Sequence, residues 1–170
     1  SPTFRSTIQV PRVEVKIKQG AIVRRPEYGM TIFIDQVADA RTKEAIAGYK
    51  GRDINPEGSV TDAVLQALRQ GLERKGFKYT ETAPVILSGE IRIWHARIEG
   101  GFTAKATADA AVYLEVIDPT NKRVYSGIYR GFSSIEKPGL EEKDVRSALS
   151  GSMAEALSQA LGDQQFLRII

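Results

Sequence analysis

His95 is the only histidine in a chain of 170 residues. An imidazole can act as a general base or a metal ligand, but either role needs partners within hydrogen-bond reach. No second ligand and no nucleophile motif accompanies His95, so a half-buried strand histidine is the weightier reading. Trp94 lies on the opposite face of the same strand and offers a large apolar surface. Such surfaces serve binding hot spots and, more commonly, cores. Asp39-Ala40-Arg41 sets opposite charges two residues apart, on one side of an extended chain. That pair could face a ligand, or it could fix the exit of a strand, the commoner use of an ion pair. Tyr125, Tyr129 and Phe132 could stack on nucleic-acid bases, but tyrosine is also simply favoured in strands.

The remaining chemistry is narrowed by what is missing. There are no cysteines, which removes thiolate nucleophiles, zinc ribbons and disulfides from residues 1–170. No phosphate-binding G-x-x-x-x-G-K-[ST], strand-to-helix G-x-G-x-x-G, G-x-S-x-G, paired helical His or calcium loop occurs. No metal, no cofactor and no catalytic residue is therefore expected. Lys and Arg total 24 against 21 Asp and Glu, and the adjacent basic pairs Arg24-Arg25, Arg74-Lys75 and Lys122-Arg123 are scattered. That is a weak electrostatic footprint, and no nucleic-acid partner is expected. No run of about 18 apolar residues exists to span a bilayer. The length is that of one domain, able to bury a core without metals or cross-links.

The elements that must position these side chains follow from periodicity. Residues 7–18 alternate as a strand, with Pro11 arguing for an edge or a bend. Residues 31–37 read as a strand covered on both faces. Residues 42–58, with Gly48, Gly51, Pro56 and Gly58, read as a long loop with a helical turn at 43–47, a candidate functional segment. Ser59 caps a helix over 60–75, with Asp62 in its first turn and Gly76 beyond its end. Residues 86–98 and 102–117 form a hairpin closing on residues 99–102, which puts His95 opposite the alanines of its partner. In the second arm, Ala104, Ala106, Ala108 and Ala110 leave room for a packed helix, or else line a groove. Residues 123–135 make a third arm, with Gly127 and Gly131 permitting close backbone packing. Val145, Leu149, Met153, Leu157 and Leu161 mark a second helix, and the apolar tail at 166–170 docks as a short strand or final turn. The expected fold is α+β: a two-layer α/β sandwich, mainly antiparallel (a β-meander), with two helices on one face. Residues 1–28 read as an N-terminal strand and loop, and 29–170 as a single α/β domain.

The ordered stretches resemble the YajG-like lipoproteins of Gram-negative bacteria over about residues 29–168. They are Thr31 to Arg41, Ala47 to Lys50, Ser59 to Leu68, Lys75 to Phe77, Ala104 to Leu114, Tyr125 to Gly127 and Ala148 to Leu161. The resemblance implies a periplasmic domain on the inner side of the outer membrane, held by an N-terminal lipidated cysteine. The chain would then begin beyond that anchor. The resemblance brings no activity and no catalytic residue. The expected function is a non-enzymatic interaction or accessory module of the cell envelope, its partner an envelope protein, a cell-wall polymer or a lipid. The alternative is a lipid- or amphiphile-binding auxiliary lipoprotein of envelope transport. A homodimer is allowed. The candidate interaction residues are Asp39, Arg41, Tyr49, Trp94 and Tyr129.

Overall fold

A computed structural model describes residues 2–17 and 30–170. In chain order the elements are β1 (Thr7–Gln9), β2 (Thr31–Asp39), β3 (Ala47–Tyr49), β4 (Arg52–Glu57), α1 (Val60–Arg74) and β5 (Lys78–Tyr79). They continue with β6 (Ile86–Gly100), β7 (Thr103–Ile117), β8 (Arg123–Pro138), α2 (Glu142–Leu161) and α3 (Gln164–Ile169). All eight strands join one sheet.

The three long strands β6, β7 and β8 run up and down as an antiparallel meander. The rest of the sheet corrects the expectation of a mainly antiparallel one: it is mixed. β2 and β3 share the other edge of β6 and both run parallel to it. β1 pairs in parallel with β4, and β5 with β2. Only β3 and β4 add another antiparallel pair. The physical reason is the connection. β2 returns to β6 through α1, and a crossover through a helix delivers a strand in parallel, whereas tight turns deliver antiparallel neighbours.

Residues 42–58 are a second correction. Instead of a loop with a helical turn, they hold the β3–β4 hairpin, closed by Lys50 and Gly51 at φ +50° and +74°. Positive φ at both central positions is the turn geometry that matches strand twist. Pro56 sits in β4 without cost to the ladder. Asn55 N–H donates to Ser6 O on the β1 side, so the missing donor of Pro56 faces the side that β3 has already left.

Both long helices have the ends their sequences specify. The Ser59 hydroxyl accepts from Asp62 N–H at 3.1 Å, and Gly76 follows the helix at φ +96°. At α2 the Asp144 carboxylate accepts from Glu141 N–H at 2.8 Å, and Lys137 pairs with it at 3.1 Å. Val145, Leu149, Met153 and Leu157 are fully buried, Ala104, Ala106, Ala108 and Ala110 of β7 are buried as well, and α2 packs on β7. The alanine face is thus filled by α2. The close approach is tightest at Gly131, where an added Cβ would collide with Ser152 O and lie 2.6 Å from Ala156 N. The apolar tail is the short helix α3, with Phe166 and Leu167 buried.

Residues 10–17 follow β1 as an extended arm laid along α2. Ser150 and Ser158 hydroxyls donate to Arg12 O and Lys16 O at 2.9 and 3.2 Å. Arg74 donates to Val15 O at 2.9 Å from α1, and Val13 and Val15 are buried in the common core. The N-terminal strand therefore shares the core of residues 30–170.

Candidate functional site

The five candidate residues are placed in separate surroundings. Arg41 lies two residues past the end of β2, its side chain only 6% exposed. Its Nε and one terminal nitrogen donate to the two Asp39 carboxylate oxygens at 2.9 and 3.0 Å, and the other terminal nitrogen donates to Glu44 O at 3.1 Å. These bonds hold Asp39 below the ordinary carboxylate range, the Arg41 side chain being the first cause. The pair fixes the path from β2 into β3. Tyr49 is buried edge-on against Phe4, its hydroxyl donating to Gly100 O at 3.4 Å. Trp94 is buried under α2, and its indole N–H donates to Leu149 O at 2.9 Å.

Tyr129 belongs to a cluster with Tyr125 and Asp163, of which the strand pattern points only to the two tyrosines. Its hydroxyl and that of Tyr125 lie 2.5 Å apart, and both reach one oxygen of Asp163, at 2.8 and 3.0 Å. Burial raises both phenols above their ordinary value. Burial also raises Asp163, but the two hydroxyls and the backbone N–H groups of Phe166 and Gln165 outweigh it and hold the carboxyl low. Asp163 is at the same time the cap of α3, accepting from Gln165 N–H at 3.0 Å. The cluster therefore pins the last helix to β8.

His95 is not opposite the alanines. The hairpin pairs Gly100 with Ala104, so His95 faces Asp109 and Trp94 faces Ala110. The expected closure on residues 99–102 differs by an odd offset, which exchanges the two faces. His95 is half-buried against Gly48 of β3, and burial, then Lys43, holds its imidazole below the ordinary value. Among the described residues, no group of three His, Asp or Glu side chains is placed to hold a metal.

An open concavity lies elsewhere. It is an open groove of about 850 Å³ between the arm and the outer side of α2. Pro11, Ile17 and Ala154 give it apolar footing, while Arg12, Lys16, Arg146, Glu14 and Glu155 stand around it. Ser150 and Ser158 are committed to the arm, whereas Ser147 is exposed and has no partner among the described residues. The signal for this groove was present in the small residues Ser147, Ser150, Gly151, Ala154 and Ser158, which share one side of α2 at steps of three and four. Only the arm, whose course residues 7–18 did not announce, turns that side into a wall.

The lipoprotein family Lipoprotein_16, described as "Uncharacterized lipoprotein", matches residues 26–170. The chain belongs to this family. The YajG-like resemblance of residues 29–168 is the same finding reached from motifs. Among curated proteins none matches. Among solved structures, a Xanthomonas campestris protein of family DUF330 is 13% identical, covers 92% of each chain and has a TM-score of 0.62. At that identity the likeness speaks to the fold alone. A minor lipoprotein from Acinetobacter baumannii is 10% identical, covering 78% of this chain and 90% of its own, with a TM-score of 0.49. A PelC dodecamer from Paraburkholderia phytofirmans is 14% identical, covering 79% and 91%, with a TM-score of 0.45. The family is one of lipoproteins. No helix among the described residues is long and apolar enough to cross a membrane.

Proposed function

We propose that this lipoprotein is a non-enzymatic accessory module on the periplasmic side of the outer membrane, and that it holds a cell-wall strand along the groove between the arm and α2. The observation that carries the reading is the groove itself. It is open and long-sided, and charges of both signs stand around an apolar footing. A cell-wall strand carries carboxylates, amines and hydroxyls on an extended chain, which suits such a rim better than a closed small-molecule site. Two of the carboxylates that could serve catalysis support it as well, because they hold the fold: Asp39 with Arg41, and Asp163 with two tyrosines. The face once available to an amphiphile, Ala104 to Ala110, is filled by α2.

Cosedimentation with purified cell-wall sacculi, and separately with phospholipid vesicles, tests this. The chain is expected to pellet with sacculi and to lose that retention when Ser147→Trp fills the groove. Retention by vesicles alone, abolished by the same substitution, would replace the reading with amphiphile binding. No retention by sacculi would contradict the cell-wall assignment.

A further inference from the structure

β8 is an edge. Its 16 residues pair with β7 along their whole length and with nothing else among the described residues. A free edge this long offers a row of unused backbone donors and acceptors, which natural sheets normally blunt or cover. The phase of the ladder is fixed at its end, where Gly139 N–H donates to Phe102 O at 2.9 Å. Odd-numbered residues of β8 therefore exchange hydrogen bonds with β7. The even-numbered ones turn their N–H and C=O groups to the open edge. Those same residues project from the sheet face that the helices leave bare. Val124, Ile128 and Phe132 are 40%, 47% and 52% exposed there, and Ile93 of β6, two strands away on the same face, is 41% exposed.

Two charges share this row. Arg130 and Glu136 are exposed, and neither makes an ion pair or side-chain hydrogen bond among the described residues. Lys105 lies across the ladder from Glu136 without closing an ion pair. We propose that β8 pairs antiparallel with β8 of a second copy of this chain about a two-fold axis at Ser133, making one continuous sheet. A two-fold contact must be self-complementary, and the charges select its register. With the axis at Ser133, Arg130 of each copy falls opposite Glu136 of the other, and Phe132 falls opposite Ser134. An axis at Arg130 would oppose two guanidinium groups, and one at Phe132 would leave both charges without a partner. In the Ser133 register the even residues from 128 to 136 meet edge to edge, and Pro138, with no N–H, falls at its limit. The apolar row of Ile128 and Phe132 then runs on from one subunit into the next, as strand addition at an edge requires.

Sedimentation velocity over a concentration series tests this on the 170-residue chain, with circular dichroism confirming that each variant stays folded. A reversible dimer is expected. Arg130→Glu or Glu136→Arg alone should weaken it by roughly tenfold or more, and the two together should restore it, as for paired charges at an interface. Ser134→Pro, which removes a donor on the open edge and none on the β7 side, should abolish it. A monomer at every concentration overturns the proposal. So does a dimer that survives Ser134→Pro, or one indifferent to both single charge reversals.

Discussion

Trp94 and His95 are neighbours in sequence and opposites in environment. Trp94 is enclosed by α2 and bonded to Leu149 O. That carbonyl also accepts from the Ser152 hydroxyl at 2.8 Å, so losing the indole leaves it partnered. Trp94→Phe should therefore cost only about 1–2 kcal/mol in urea denaturation, while Trp94→Ala, which leaves a cavity, should cost about 3–5 kcal/mol. His95 makes a pH prediction. Its folded imidazole lies below the ordinary 6.5, chiefly through burial, so the unfolded chain binds the proton more readily. Stability from this group is complete above the unfolded value and is lost as pH falls through the folded one. Asp39, Asp144 and Asp163, all held below the ordinary 3.8, add a second loss as pH falls past their folded values. Denaturation midpoints should thus fall in two stages on acidification. His95→Gln should remove the upper stage and leave the lower one; an unchanged upper stage would contradict the assignment.

Among elements, the α2–β8 contact depends on the absence of a side chain at Gly131. A methyl group there would meet backbone atoms of α2, which cannot swing aside as the end of a long side chain can. Gly131→Ala should cost about 3 kcal/mol or more, whereas Gly101→Ala, with nothing within 4 Å, should stay within about 0.5 kcal/mol. Thermal melts of the two variants compare them directly. The element scale also shows what a single sequence can carry. The 3.6 and 2.0 periods placed α1, α2 and the three long strands within a few residues, and the alanines of β7 announced the helix that covers them. Register was less legible. The bulge between Ile91 and Ile93 and the odd turn offset decide which face His95 takes, and neither leaves a composition signal. The β3–β4 hairpin was hidden because its strands are short and its glycines and proline imitate a loop. Parallel pairing of β2 and β3 with β6 is a long-range choice that no local window contains.

For the whole molecule, the sheet presents two unlike surfaces. One is sealed by α1 and α2 and stapled by the arm, whose far side borders the groove. Among the described residues, the other is left uncovered by any helix and ends in the open edge of β8. A dimer through that edge would leave both grooves on the helix side of a doubled sheet, so self-association and capture of a strand would not compete. The candidate groove was scarcely legible in sequence, because it arises where residues 10–17 meet a helix about 140 positions further on. The sequence candidates Asp39, Arg41, Tyr49, Trp94 and Tyr129 have the chemistry of binding residues, and the fold uses that chemistry at its own joints. The most direct measurement is photocrosslinking in cells, with a photoreactive residue at Ser147 in the groove and, as control, at Thr120 in the β7–β8 turn. Capture of cell-wall material at Ser147 and none at Thr120 is the predicted result. Equal capture at both positions, or none at Ser147, would contradict the account.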